Sequence, residues 1–164
     1  MRNKRNITRT AALFLITASV LLLTACGSKK KDITVDVQKL ADDLSAQTVT
    51  SDTLVAVVGD MISGNFALSS DVAGSVKSSA AYMSAGSTAC RIAVFECAEA
   101  SQTEALKKAL QAHVDAQAEL YASYAPEQVD KLKDAVLSAA GKYVVLAVCD
   151  DSAKAKSILK ESGF

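Results

Sequence analysis

Residues 90–97 have the sequence Cys-Arg-Ile-Ala-Val-Phe-Glu-Cys, and the other elements of the fold are predicted around them. Its dense run of β-branched and aromatic residues predicts a buried strand. The chain on either side predicts three more strands, of which the last two meet in a hairpin at Gly141-Lys142: residues 76–84, 135–139 and 143–149. Because residues 143–148 are apolar on both faces, we expect that strand at the centre of the sheet.

Helical patterns fill the sequence before and after these strands. Residues 33–45 carry apolar side chains at helical spacing. Ser101-Gln102-Thr103-Glu104 has the pattern of a capping box, which predicts the start of a long helix that extends to about Tyr124. Pro126 interrupts this helix and is well suited to start a second one, which extends to about Asp134.

Shorter signals complete the pattern. Ser69-Ser70-Asp71 predicts the cap of a brief helix near Val72, and Asp150-Asp151-Ser152 predicts the cap of the final helix. Residues 54–58 form an apolar run that fits either a helix or a strand. Strand pairs separated by helices predict an α+β fold with a mainly antiparallel sheet of about four strands and helices packed on it. We assign residues 33–164 to one such domain.

The first 25 residues have the features of an export signal. Residues 2–9 contain four basic side chains, and an apolar run over residues 11–23 follows. This run is shorter than the roughly 20 residues that a membrane-spanning helix needs. It ends at Leu23-Thr24-Ala25-Cys26, the pattern that precedes the modified cysteine of a bacterial lipoprotein. We therefore expect cleavage before Cys26 and a diacylglycerol on its sulfur.

A lipidated Cys26 predicts where the protein is held. Two acyl chains, such as palmitate, anchor a protein durably, whereas a single chain binds a membrane only marginally. Residues 26–32 then form a short flexible tether that contains three lysines. We expect a protein anchored in the cell membrane through Cys26, with its domain outside the cytoplasm.

Removal of the leader makes the protein acidic. The whole chain carries 18 basic and 18 acidic residues, but residues 32–164 hold 11 basic and 18 acidic ones, a net charge of −7. Because nucleic-acid binding requires a basic surface, we exclude nucleic acid as a partner. An anionic membrane surface also repels such a domain, so we expect it to stand off its anchor.

Three cysteines remain besides Cys26. Cys90 and Cys97 lie seven residues apart on one predicted strand, which places them roughly 23 Å apart and on opposite faces. A disulfide cannot span that distance. Only a bond from Cys149 to one of the two is geometrically open. We favour three buried free thiols over such a disulfide.

The predicted long helix carries a polar pair within its apolar stripe. His113 is the only histidine, and Gln117 lies one turn further on. We interpret His113 as a partly buried residue that hydrogen-bonds Gln117 or a backbone carbonyl, the alternative being a general base for one of the cysteines. Tyr121 and Tyr124 extend the stripe. We expect both rings to pack the helix onto the sheet, the alternative being a surface rim that contacts peptide or glycan.

No other pattern in the sequence assigns chemistry. The histidine and cysteines lack the spacing of a zinc site, and a glycine-rich phosphate loop is absent. We interpret Asp150-Asp151 as helix caps rather than as calcium ligands. We therefore assign no catalytic residue, no metal and no cofactor, although a pair of carboxylates that meets only in space stays open.

The spaced pattern of the chain resembles a known family. The residues that carry the resemblance are Ile92-Ala93-Val94-Phe95, Tyr124-Ala125-Pro126-Glu127, Lys131-Leu132, Ala135, Gly141-Lys142-Tyr143-Val144 and Asp150. Over residues 33–164 the chain is similar to bacterial lipoproteins built on domain of unknown function 4358, a family typical of Gram-positive anaerobes. The resemblance implies an envelope lipoprotein and supplies no activity. Cys90-Arg91 departs from the pattern, in which we expect an acidic residue just ahead of the strand.

These observations lead to one expectation and one alternative. We expect a lipid-anchored, non-enzymatic module that binds an envelope protein or a small ligand, in an oligomeric state that the sequence leaves open. The alternative is a surface-tethered hydrolase that acts through carboxylates or a Cys/His pair.

Overall fold

The computed structural model describes residues 33–164, and the predicted leader, Cys26 and lysine tether lie outside this part of the chain. The described residues form one five-stranded sheet and six helices. In chain order these elements are α1 (Val37–Thr48), β1 (Leu54–Ala56), α2 (Gly59–Asn65), α3 (Ser70–Gly74), β2 (Val76–Ser84), β3 (Arg91–Cys97), α4 (Thr103–Tyr124), α5 (Val129–Lys133), β4 (Val136–Ala140), β5 (Tyr143–Val148) and α6 (Ser152–Glu161).

The sheet is antiparallel throughout, in the order β1-β2-β3-β5-β4. This confirms the mixed α+β class, but the sheet has five strands where about four were predicted. The additional strand is β1, which comes from the apolar run that fitted either structure and pairs with the end of β2, Leu54 opposite Ser84. The expectation that β5 lies at the centre is wrong, because β3 holds the middle position. β5 is nevertheless buried along its whole length, since it has a neighbouring strand on each side and helices on both faces.

Helices cover both faces of the sheet and create two hydrophobic cores. On one face, called here the α4 face, Phe66, Phe95 and Leu110 are fully buried among residues of α2, α4 and α5. On the other, called the α1 face, residues of α1 and α6 pack on the sheet. Cys97 belongs to the first core and Cys90 to the second. This confirms that they lie on opposite faces of β3.

Two predicted helix starts need correction. α1 begins at Val37 rather than at residue 33, because the Asp36 carboxylate accepts a hydrogen bond from the Lys39 amide at 2.9 Å and caps the helix there. The capping box ahead of α4 joins Glu99 to Gln102 instead of Ser101 to Glu104. It forms two residues early because a short 3₁₀ turn over Ala100–Gln102 precedes α4, and the Glu99 amide donates to Gln102 Oε1 at 2.8 Å.

Other local predictions are confirmed. Ser69 caps α3 by accepting a hydrogen bond from the Val72 amide, and Pro126 opens a 3₁₀ turn ahead of α5. β4 and β5 meet at the two-residue turn Gly141-Lys142. Gly141 has a φ of 56°, which the first central position of such a hairpin turn requires and which glycine adopts without a steric penalty.

Within residues 33–164, the helices are too short or too polar to cross a bilayer. Cys90, Cys97 and Cys149 are all buried and free in this structure. This matches the preference for free thiols over a disulfide.

Candidate functional site

Polar side chains gather at one end of the sheet, where β3 begins and β5 ends. They form two groups that we name by their central residues. The Arg91 cluster lies on the α4 face and consists of Arg91, His113, Gln117, Tyr121 and Tyr124. The Asp150 cluster lies at the start of α6 and consists of Thr50, Ser51, Cys90, Lys131 and Asp150.

Arg91 organises the first cluster from the first position of β3. Its side chain alternates onto the α4 face, and the residue is only 4% exposed. Nε donates to the Ala89 carbonyl at 3.1 Å, and Nη2 donates to Gln117 Oε1 at 3.0 Å. Nη1 lies 2.7 Å from His113 Nε2. A planar guanidinium has several donors in fixed directions, so these bonds fix its orientation.

Neutral hydrogen-bond acceptors, rather than a carboxylate, surround the Arg91 guanidinium. Among the described residues, no carboxylate forms an ion pair with it. Burial lowers the pKa of Arg91 from its usual value. Burial, and secondarily the Arg91 charge, lowers the pKa of His113 to about 4. His113 is therefore neutral at pH 7, and since Nε2 accepts from Arg91, we assign its proton to Nδ1.

The structure corrects the predicted partner of His113. Arg91 lies between His113 and Gln117 and bonds both, so the expected bond between those two residues is replaced by a bridge. The His113 ring also packs on Phe66, with 5.4 Å between ring centroids. Cys149 lies in the core of the α1 face, on the other side of the sheet from His113. Cys149 and His113 therefore do not form a thiol–imidazole pair.

The two tyrosines have different environments. Tyr121 is 6% exposed and donates to the Thr88 carbonyl at 2.7 Å, so it packs against the sheet as predicted. Burial and the neighbouring Tyr124 hydroxyl raise the pKa of Tyr121 to about 12. Tyr124 is 55% exposed and stacks obliquely on Tyr121, with 4.9 Å between ring centroids. Tyr124 thus fits the surface-rim alternative, while Tyr121 supports it from below.

The Asp150 cluster ties three segments of the chain together. Asp150 Oδ2 accepts from the amides of Thr50 and Ser51 at 2.7 and 2.8 Å. Oδ1 accepts from Ser51 Oγ at 2.7 Å and from Lys131 Nζ at 2.6 Å. These bonds, opposed by burial, hold the pKa of the Asp150 carboxyl well below its usual value. Only Asp151 of the predicted cap serves α6, where it accepts from the Lys154 amide.

Lys131 links this cluster to a thiol. Its Nζ lies 3.2 Å from Cys90 Sγ, and the lysine and Asp150 side chains are only 15% and 18% exposed. A surface depression of about 250 Å³ lies beside them, and Cys149 is part of its lining. The cluster therefore places the Lys131 ammonium group next to the buried Cys90 thiol, beside a depression that Cys149 also lines. Among the described residues, no group of three His, Cys, Asp or Glu side chains is arranged to hold a metal ion.

Residues 47–149 match a family model described as "Domain of unknown function (DUF4358)". The chain belongs to this family. The DUF4358 match begins at the end of α1, contains all five strands and ends just before Asp150. It is shorter than the expected resemblance over residues 33–164. No curated protein and no solved structure matches the chain.

The whole Arg91 cluster lies inside the DUF4358 match, whereas α6 lies outside it. The sequence identified four members of this cluster, His113, Gln117, Tyr121 and Tyr124, but missed Arg91 as their centre. A signal was present, since an arginine at the start of an otherwise apolar strand needs buried acceptors. Lys131 and its contact with Cys90 had no comparable signal, because α5 and β3 are joined only by the tertiary fold.

Proposed function

We propose that the protein is a lipid-anchored extracytoplasmic lipoprotein that acts as a non-enzymatic binding module. The basic leader, the short apolar run and the Leu-Thr-Ala-Cys pattern at Cys26 support the anchor. The surface that we assign to binding is the Tyr124 ridge, which consists of Leu120 and Tyr124 on the last turns of α4. Its partner is an envelope protein that presents an apolar pocket.

The observation that carries this proposal is the exposure of the ridge above an ordered base. Leu120 is 53% exposed and Tyr124 is 55% exposed, and they lie one turn apart on the same side of α4. Exposed apolar and aromatic side chains that stand together favour protein contact, and tyrosine and arginine are enriched among the residues that dominate binding energies.

The base of the ridge is ordered before any partner arrives. Tyr121 supports the Tyr124 ring and is itself bonded to the Thr88 carbonyl. Beneath them, the Arg91 guanidinium is held by the acceptors of its cluster. Binding therefore freezes few side chains, which reduces the entropy lost on association.

The charge of the domain adds a requirement for the partner. A net charge of −7 over residues 32–164 favours a partner with a basic rim around its apolar pocket. Such attraction is screened by salt, so the association rate falls as ionic strength rises.

Co-purification from cells tests the binding surface. The full-length, processed protein is isolated from solubilised membranes as wild type, as Leu120→Ala/Tyr124→Ala and as Val58→Ala/Met61→Ala. The second pair is a matched control, because Val58 and Met61 are 70% and 57% exposed and lie at the start of α2 rather than on α4. We expect the first double variant to lose a partner protein that the wild type and the control retain. Retention by the Leu120/Tyr124 variant, or loss only from the Val58/Met61 variant, contradicts the proposal.

The anchor has an independent test. A Cys26→Ala variant should lose incorporation of labelled fatty acid and remain uncleaved at this site, whereas a Cys97→Ala variant should be processed normally. Normal processing and membrane retention of Cys26→Ala refute the anchor without bearing on the Tyr124 ridge.

A further inference from the structure

The two cysteines near Lys131 occupy directly opposed positions on neighbouring strands. Arg91 pairs with Val148 and Ile92 with Ala147 in the antiparallel β3–β5 ladder. Extending this register by one residue places Cys90 opposite Cys149. Both side chains lie in the core of the α1 face.

The hydrogen-bond pattern shows which kind of pair this is. The Cys97 amide donates to the Lys142 carbonyl at 2.8 Å, so those two residues form a hydrogen-bonded pair between β3 and β5. Such pairs alternate with non-hydrogen-bonded ones, and Cys90, seven residues earlier, therefore belongs to the second kind. An independent bond agrees, because the Cys90 carbonyl is directed toward β2, where it accepts from the Ser84 amide at 2.9 Å.

Non-hydrogen-bonded pairs bring side chains closest together. Their Cα atoms lie about 4.5 Å apart. A disulfide joins residues whose Cα atoms are about 4.4–6.8 Å apart, so the pair meets this requirement with no change of register. Cys97 does not qualify, because its side chain lies on the other face of β3.

We propose that Cys90 and Cys149 are a redox site that forms a reversible cross-strand disulfide by exchange with a small cationic disulfide. The structure holds the reduced pair. The reaction enters through the depression that Cys149 lines. Four carboxylates line that depression, those of Glu127, Asp130, Asp134 and Asp150. Lys131 pairs with Asp150 and Lys133 with Asp130, so the carboxylates still exceed the ammonium groups by two, which favours a positively charged reagent over an anionic one.

The exchange proceeds in two steps. The Cys149 thiolate attacks one sulfur of the disulfide RSSR and forms the mixed disulfide Cys149–S–SR. The released RS⁻ takes up the proton that Cys149 lost and leaves as RSH. The Cys90 thiolate, to which the Lys131 ammonium can donate, then attacks the Cys149 sulfur. The Cys90–Cys149 bond forms, the bond to SR breaks, and a second RSH leaves. Two electrons and two protons pass from the two thiols to RSSR, which is reduced to two RSH.

Burial shields both thiols from bulky oxidants. Cys90 and Cys149 are 1% and 5% exposed. Burial also raises the pKa of the Cys149 thiol, which keeps little of it in the reactive thiolate form. The site therefore responds to a disulfide that can enter the depression and not to bulky oxidants in general.

Thiol mapping tests the site. The full-length chain with Cys26→Ser is incubated with cystamine, a cationic disulfide, then denatured and alkylated. We expect a loss of two hydrogens, alkylation of Cys97 alone, and a peptide that links Cys90 to Cys149. A Cys90→Ser variant should instead keep one cysteamine on Cys149, while Cys97→Ser should form the bond normally. A bond that involves Cys97, or a Cys26→Ser chain in which Cys90 and Cys149 stay free, overturns the proposal.

Reagent charge tests the entry route. Oxidation rates with cystamine and with neutral 2-hydroxyethyl disulfide are each divided by the rate of the same reagent with the uncharged thiol 2-mercaptoethanol. We expect the normalised rate to be about tenfold higher for cystamine in dilute buffer and the ratio to approach one in about 1 M salt, where charges are screened beyond about 3 Å. Equal normalised rates in dilute buffer contradict entry through the acidic depression. These outcomes are separate from those that test binding at the Tyr124 ridge.

Discussion

His113 makes the stability of the domain depend on pH, mainly between pH 7 and pH 5, above the range in which most carboxylates titrate. The unfolded chain binds a proton at His113 with a pKa of 6.5, whereas burial and Arg91 lower the folded pKa to about 4. Between these two values the unfolded state holds more protons than the folded state. Stability therefore falls as pH decreases from about 6.5 to about 4.

The magnitude follows from the size of the shift. Each pKa unit corresponds to about 1.4 kcal/mol, so the full window is worth about 3 kcal/mol. His113 is only 6% exposed, so solvent screens this effect little. Between pH 7 and pH 5, about 2 kcal/mol of the unfolding free energy should be lost. Because His113 is the only histidine and carboxylates titrate mostly below pH 5, this interval isolates it.

Urea unfolding at several pH values between 7 and 5 measures the effect. The matched variant is His113→Gln, since glutamine can still accept from Arg91 and remains neutral at every pH. Its curve should be flat over this interval, although its stability at pH 7 is lower because the contact with Phe66 is lost. A wild-type curve that is also flat, or a His113→Gln curve that falls by the same 2 kcal/mol, refutes the assignment of a buried neutral histidine.

Three further predictions concern the rest of the domain. Lys142 and other donors hold the pKa of Glu96 at about 2, so Glu96→Gln should cost about 2 kcal/mol at pH 7, a difference that shrinks as pH falls from 4.5 through 2 and that acid-titrated unfolding curves measure. Asp150→Ala removes the acceptor of the Thr50 and Ser51 amides, and we expect hydrogen exchange at both amides to accelerate at least tenfold, with unchanged protection in β3 as the control. Phe66→Ala should lower the unfolding free energy by about 3–5 kcal/mol in urea, because Phe66 is fully buried; a loss below 1 kcal/mol contradicts its place in the core.

The sequence predicts much of the architecture, and its errors have physical reasons. The apolar runs of β3 and β5 and the turn at Gly141-Lys142 are local signals, and all three were predicted correctly. Strand order is not local, which explains why β5 was placed at the centre although β3 lies there. β1 escaped prediction because a three-residue strand has no periodicity of its own and exists only by pairing with β2.

For the candidate site, the sequence predicts the residues on α4 but not the residues from other elements that contact them. The stripe of α4 identified His113, Gln117 and the two tyrosines, because helical spacing places them together. Their common partner, Arg91, arrives from a strand that is distant in sequence, and no helical pattern can predict such a contact. The same holds for Lys131 and Cys90, whose 3.2 Å contact exists only because α5 packs near the start of β3.

Photo-crosslinking in intact cells tests whether a partner protein binds at the Tyr124 ridge. A photoreactive amino acid replaces Tyr124 in the full-length, processed protein, and a second chain carries it at Met61 as an equally exposed reference. We expect a discrete crosslinked protein adduct from position 124, absent from position 61 and weakened when salt is raised. No adduct at position 124, or the same adduct at both positions, contradicts binding at the ridge.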